Sequence, residues 1–341
     1  MKIGMLTGGG DCPGLNPVIR AVVRKAIKNG DEVVGLRYGW KGLMEKITMP
    51  LDLRSVSGIL HKGGTMLGTS RTNPYNQEGG SKTAIANFKE LGLDALIAIG
   101  GEDTLGVANK LYKEGVNAVG VPKTIDNDLS GTDATFGFDT AVNIVMECID
   151  RLHTTAESHN RVLVAEVMGR HAGWIAAYGG IAGGADYILI PEKPVDIDEV
   201  CDSLKKRHAT GKNFSIVVVS EGATFKQDEF TTQEKELDQF GHVRLGGIGN
   251  QIGKMIEEKT GFETRVTVLG HIQRGGSPTA SDRILGTRYG IKAYDLVKSG
   301  KFGQMAALQG NQIVNVSLEE ATKELKTLDM DIYEMAQIFF G

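Results

Sequence analysis

Six short segments place glycine, carboxylate and cationic side chains close together, each directly after a run of aliphatic residues. They are GGGDCPG at 8–14, GGEDT at 100–104, PKTIDND at 122–128, MGRHAGW at 168–174, SEGA at 220–223 and GHIQRGG at 270–276. The first suits a tight turn that offers backbone N–H groups to an anion at the start of a helix. It lacks the lysine of a P-loop, and no G-x-G-x-x-G fingerprint occurs in the chain. In GGEDT, Glu102 and Asp103 are adjacent carboxylates. Beside phosphates such a pair holds a divalent cation, because Mg²⁺ takes one or two protein carboxylates and fills the rest of its shell with water and phosphate oxygens. The same two residues also suit the first turn of a helix.

PKTIDND brings Lys123, Thr124, Asp126 and Asp128 together. In an extended segment, alternation puts Asp126 and Asp128 on one side. One carboxylate can take a proton from a hydroxyl while the other positions it or holds metal, with Lys123 as compensating charge. A surface turn is the alternative, since Asn and Asp favour turns. Arg170, Arg274 and His271 supply what a sugar-phosphate site needs: bidentate forks and a point donor. His171 and His271 have no zinc-ligand spacing. Arg71 and Arg161 are further cationic candidates.

Aliphatic runs at 3–7, 32–36, 95–99, 118–121, 162–167, 188–190, 216–219 and 266–269 read as buried strands. Helical spacing appears at 16–28, 104–114, 141–157, 200–210, 246–259 and 281–298. Continuous rather than alternating strands, separated by helices, predict mostly parallel sheets covered by helices, with ligands beyond the carboxyl ends of the strands. The six polar segments lie at those ends. That is more than one phosphate site needs, and it predicts a cleft between two α/β domains with a ligand on each side. Loop chemistry near 133–139 marks a boundary. The stretch 226–236 (KQDEFTTQEKE) reads as a solvated insertion.

Glycine is the unusual count, 46 of 341 residues, roughly twice ordinary usage. Net charge is −4, so no basic field recruits nucleic acid. No aliphatic run approaches the roughly 20 residues needed to cross a bilayer, and the first ten residues predict a strand and a glycine loop rather than a leader. Three well-separated cysteines fit a reducing cytoplasm.

Together these segments resemble the phosphofructokinase family. The matching stretches are GGGDCPGLN, GGTMLGTSR, GGEDT, PKTIDND, GFDTA, RLHTTAESHNR, EVMGRHAGW, SEGA and TVLGHIQRGG, in order from residue 1 to about 290. The resemblance implies two α/β domains, at 1–138 plus about 273–323 for the phosphoryl donor and 139–272 plus about 324–341 for fructose 6-phosphate. It implies Mg²⁺-dependent phosphoryl transfer to the 1-hydroxyl of fructose 6-phosphate. It also implies a homodimer or homotetramer in which one subunit completes its neighbour's sugar-phosphate site.

Carried over by motif, Asp126 would accept the hydroxyl proton, Asp128 would assist and Thr124 would contact the sugar. Met168, Gly169 and Arg170 would hold the sugar phosphate and the transferring group. Glu221, His271 and Arg274 would bind fructose 6-phosphate, and Arg161 and Arg265 would reach in from a neighbour. Gly10 and Arg71 would face the donor, and Glu102 would lie near the metal. Arg20, Arg24 and Arg54 match basic positions of the family's effector site. His153 and Thr210 replace basic residues there, which implies weak or absent regulation.

Two departures bear on the donor. ATP-using members typically read GGDGS and PGTIDND, whereas here Asp103 and Lys123 stand where glycine is usual. A carboxylate at 103 would repel the α-phosphate of ATP, and Lys123 could supply charge that a smaller donor lacks. The pair is similar to members that use pyrophosphate. An ATP-dependent enzyme of the same fold is the alternative. A non-catalytic sugar-phosphate sensor fits less well, because Asp126 and Lys123 are both present.

Overall fold

The structure, a computed structural model, describes residues 1–226 and 246–341. Of the stretch 226–236, only Lys226 lies within the described residues. Twelve strands are described: β1 (Lys2–Thr7), β2 (Glu32–Leu36), β3 (Thr48–Leu51), β4 (Ala95–Gly100), β5 (Ala118–Thr124), β6 (Phe136–Gly137), β7 (Val162–Val167), β8 (Tyr187–Leu189), β9 (Ser215–Ser220), β10 (Thr264–Val268), β11 (Gln304–Gln309) and β12 (Gln312–Ser317). The helices are α1 (Leu15–Lys28), α2 (Trp40–Met44), α3 (Gly80–Glu90), α4 (Glu102–Lys113), α5 (Phe138–His159), α6 (Trp174–Ala182), α7 (Ile197–Ala209), α8 (Ile248–Thr260), α9 (Ala280–Lys298), α10 (Leu318–Ala321) and α11 (Met330–Gln337).

The chain divides into two compact units, Met1–Thr140 with Arg274–Leu325, and Ala141–Gln273 with Lys326–Gly341. The first holds an eight-stranded sheet in the order β12-β11-β5-β4-β1-β2-β3, with β6 added to β5. Its centre is parallel, and both ends are closed by antiparallel pairs, β2 with β3 and β11 with β12. Strands β4 and β5 are buried along their whole length, which is why residues 95–99 and 118–121 read as apolar runs. Helix α4 packs on both of them, and α1 lies against α9.

The second unit holds a parallel four-stranded sheet in the order β10-β7-β9-β8. Helix α8 packs on β7 and β10, and α6 on β8 and β9. Each unit has its own apolar cluster, around Leu96, Leu105 and Leu111 in the first and Val164, Val217 and Ile252 in the second. Helices α2, α3, α6, α10 and α11 and strands β3, β6, β11 and β12 are additions to the sequence reading. The sequence of α6, WIAAYGGIA, is apolar on nearly every side and shows no helical period.

Asp31 ties the end of α9 to the start of the first unit. Its carboxylate accepts from the Met1 ammonium at 2.8 Å, the Tyr294 hydroxyl at 2.6 Å and the Lys298 ammonium at 2.9 Å. Burial works against the charge, but these three donors hold the carboxyl well below the usual carboxylate range. A depressed folded-state pKa contributes stability above the unfolded value, and that contribution is lost as pH falls through the acid range. Asp31→Asn is therefore expected to cost about 1–3 kcal/mol near neutral pH. Urea midpoints should show the gap between parent and variant closing below about pH 4; a gap unchanged by acid would show that the charge is not what stabilises.

Candidate active site

In the first unit the glycine turn after β1 meets two cations. The buried Lys123 ammonium, at the end of β5, donates to the Gly10 carbonyl. The Arg274 guanidinium lies so close to Gly10 that a Cβ there would sit 3.1 Å from Nη1. A side chain at residue 10 would push the guanidinium back by a few tenths of an ångström. Burial pulls the Lys123 pKa down, the neighbouring Arg274 charge adds to this, and Asp126 and Asp128 oppose it. Two cations at one backbone turn suit a multiply charged anion.

The donor loop is braced from both sides. Thr69 Oγ1 donates to the Gly9 carbonyl at 2.5 Å, which brings loop 63–71, with the exposed Arg71 at its end, onto the turn. The buried Thr104, in the first turn of α4, packs against Gly8 and Gly100. Helix α4 begins at Glu102 after Gly101, which provides no side-chain cap, and Glu102 and Asp103 occupy its first turn. Both carboxylates thus sit where the helix dipole favours negative charge. Gly101 lies against the Lys123 backbone and Gly100 pairs with Pro122, so the residues just before α4 adjoin the end of β5. The Cys12 thiol donates to the Phe136 carbonyl at 3.7 Å, and burial pushes its pKa up. It is a protonated packing group rather than a reactive thiolate.

Beyond β5 the chain does not stay extended. The strand stops at Thr124, and Asn127 takes a left-handed conformation with φ 53°. The alternation that would align Asp126 with Asp128 is therefore not the mechanism that places them. A turn does so instead, fixed by Thr135 N donating to Asn127 Oδ1 at 3.0 Å and Thr135 Oγ1 donating to the Thr124 carbonyl at 2.7 Å. Asparagine tolerates this conformation better than most residues. Thr124 Oγ1 accepts from the Asp126 N–H at 3.0 Å and donates to Asp126 Oδ2 at 3.2 Å, so it aims the carboxylate. Both Asp126 and Asp128 are buried, and both act on the charge of Lys123.

The second unit carries a separate cluster at the carboxyl ends of β7 and β9. Arg170 has φ 53°, an uncommon conformation for an arginine. Its carbonyl rests on Gly222, where a Cβ would lie 1.6 Å away, so residue 222 must be glycine for this loop to exist. Glu221 Oε1 accepts from the Arg170 N–H at 3.3 Å, and Glu221 N donates to the Val167 carbonyl at 2.8 Å. Met168 N donates to the buried Gln273 side chain at 3.2 Å, which ties the MGRHAGW loop to the GHIQR segment that carries the exposed His271. The loop of Met168, Gly169 and Arg170 is thus joined to Glu221 and to the segment of His271 through the side chains of Glu221 and Gln273. Gln273 and Gly222 are positioning residues that the sequence reading missed, although both lie inside motifs it singled out.

Arg161 and Arg265 are elsewhere. They lie at the amino ends of β7 and β10 and share Glu263, at 2.8 Å and 2.5 Å. The Arg161 hydrogen bond and charge hold the Glu263 carboxyl below its ordinary value. The six residues of β7 separate them from Met168, a span of about 20 Å. Arg274, grouped with the sugar ligands by the sequence reading, lies against Gly10 in the first unit.

Residues 2–297 match the phosphofructokinase family. The chain is 58% identical over 343 residues to the pyrophosphate–fructose 6-phosphate 1-phosphotransferase of Streptomyces coelicolor, covering all of both chains. It is 52% identical over 338 residues to the ATP-dependent 6-phosphofructokinase 3 of the same organism, covering 99% of each. Among solved structures, the phosphofructokinase of Pichia pastoris in the T-state superposes with a TM-score of 0.83 at 33% identity; the match covers 99% of this chain and spans 36% of that longer one. A glycine turn under two cations, a buried carboxylate aimed by a threonine, and full-length relatives on both sides of the donor choice lead to one conclusion: this chain is a phosphotransferase that belongs to the phosphofructokinase family.

Proposed function

We propose that the protein transfers a phosphoryl group from pyrophosphate to the 1-hydroxyl of fructose 6-phosphate, giving fructose 1,6-bisphosphate and phosphate. The observation that carries the donor reading is the buried Lys123 ammonium bonded to Gly10, at a strand end whose backbone Gly101 lies against, with Asp103 in the helix turn that follows. A short donor gains charge from Lys123, whereas a donor extended by a nucleoside monophosphate would bring another phosphate towards Asp103. The relatives named for pyrophosphate at up to 58% identity support this, and those named for ATP at 52% set the alternative.

Asp126, aimed by Thr124, takes the proton as the 1-hydroxyl attacks, and Asp128 holds the loop's negative charge against Lys123. Lys123 and Arg170 offset the charge that develops on the transferring group. Most of the catalysis is positioning and charge stabilisation, as phosphoryl transfer requires. Gly10 and Arg71 face the donor. Met168, Gly169, Glu221 and His271 bind the sugar phosphate. The same groups serve the reverse transfer, so the reaction is reversible.

Mg²⁺ fits the residues present. Glu102 stands beside Asp103 in the first turn of α4, and no group of three or more His, Cys, Asp or Glu among the described residues could hold a metal alone. Glu102 would therefore hold the ion together with donor phosphate oxygens and water. When bound, it would neutralise donor charge.

Arg161 and Arg265, a strand length from Arg170, serve the 6-phosphate of a neighbouring subunit in a homodimer or homotetramer. Among the described residues no helix is long and apolar enough to cross a membrane. The three cysteines are unpaired, in keeping with a cytoplasmic setting.

Initial velocities with fructose 6-phosphate and Mg²⁺ test the donor. Pyrophosphate should give the higher kcat/KM than ATP in the same assay. A preference for ATP would keep the family and reverse the reading of Asp103 and Lys123.

A further inference from the structure

Asp282 is a fully buried carboxylate in the first turn of α9, outside every motif assigned above. Its Oδ1 accepts from the Gly137 N–H at 2.9 Å. Its Oδ2 accepts from the Thr140 N–H at 2.8 Å and the Thr140 hydroxyl at 2.5 Å. Thr140 Oγ1 in turn accepts from Thr279 N at 3.1 Å. Burial pushes the Asp282 carboxyl up to about 6, opposed by these donors. As a carboxylate it accepts all three bonds.

The segment that Asp282 holds backs the reacting residues. Strand β6 pairs directly with the end of β5, Phe136 with Lys123 and Gly137 with Thr124. Thr135, one residue earlier, fixes the Thr124 carbonyl and the Asn127 side chain. On its other side Gly137 lies against Cys12 of the donor turn, where a Cβ would come within 2.6 Å of the sulfur. One buried carboxylate therefore clamps the strip of backbone that touches both the donor turn and the proton-accepting loop. A hydrophobic residue of similar volume could fill the space, but it would leave the Gly137 and Thr140 N–H groups without acceptors.

We infer that Asp282 is a positioning residue for phosphoryl transfer, holding Lys123, Thr124 and Asp126 in register through β6. This rests on the reading that residues 123–128 carry the reaction. A displacement of about 1 Å at such a loop is enough to lower turnover about 100-fold.

The test compares the parent enzyme with Asp282→Asn, Thr140→Val and Thr140→Ser in the preferred-donor assay, with Asp126→Asn as a reference. Circular dichroism and thermal melting establish that each is folded at the assay temperature. Asp282→Asn turns one acceptor into a donor facing an N–H, so kcat should fall at least about 10-fold with the KM for fructose 6-phosphate within about 3-fold. Thr140→Val removes the two bonds of the hydroxyl, to Asp282 and from Thr279 N, but keeps the carboxylate, and should show a smaller fall of the same kind, restored by Thr140→Ser. If Asp282→Asn does not fold, the two Thr140 variants decide alone. A merely structural role lowers the melting temperature and leaves kcat per folded enzyme unchanged. That result, or a loss confined to KM, overturns the proposal. A parent without turnover, or a fully active Asp126→Asn, instead overturns the functional reading beneath it.

Discussion

Asp126→Asn is expected to lower kcat by at least about 100-fold while changing the KM for fructose 6-phosphate only a few-fold. The carboxamide has the size of the carboxylate and keeps an oxygen that can accept the 3.2 Å bond from Thr124. The turn itself is fixed by Asn127 and Thr135, which the substitution does not touch. Geometry is thus retained, and what disappears is a group able to take the hydroxyl proton. Binding of the sugar phosphate, assigned to Arg170, Glu221 and His271 in the other unit, should survive. Steady-state kinetics in both directions would check this, because a base for the forward transfer is the acid of the reverse one. A variant with near-parental kcat in either direction would remove Asp126 from the role.

The parts of the fold that announced themselves are those with strong local causes. Strand β4 and the first half of β5 are buried on both faces, so residues 95–99 and 118–121 form apolar runs. Helix α1 shows a clear apolar stripe. The glycine turns, the first-turn acids of α4 and the polar loops at strand ends were legible because each is a short-range feature. The contacts that make a site of them were not. Lys123 reaches the Gly10 carbonyl, and Arg274 lies on the same glycine, only because β1 and β5 run parallel with β4 between them and the last segment of the first unit returns to that edge. No spacing in the chain encodes that return. The left-handed Arg170 was equally hidden, since it depends on the open space above Gly222. Arg161 and Arg265 read as ligands, and the structure adds why they cannot serve the cluster on their own chain: they stand at the opposite end of β7, paired with Glu263.

Asp103→Gly should raise the ratio of kcat/KM with ATP to kcat/KM with pyrophosphate by at least about 5-fold. Two like charges about 4 Å apart repel by roughly 1 kcal/mol in water and roughly 4 kcal/mol near a protein surface, and the lower figure alone corresponds to about 5-fold. Asp103 stands in the first turn of α4, half-exposed, two residues after Gly101, which lies against the Lys123 backbone. Screening therefore keeps the effect towards the lower end, and it should shrink as salt rises. Glycine at 103 also frees the first-turn N–H groups to meet an additional phosphate. Lys123→Gly should act mainly on the other side of the ratio. It removes the ammonium bonded to Gly10 and so weakens the short donor, which has no nucleoside to hold it in place. Because both substitutions are expected to act on the same bound donor, the two effects should not add. The double variant should favour ATP by more or less than the product of the single changes, and the difference measures their coupling. If Asp103→Gly leaves the donor ratio unchanged at low salt, repulsion at this carboxylate does not select the donor, and the choice must lie in Lys123 or in the loop that carries Arg71.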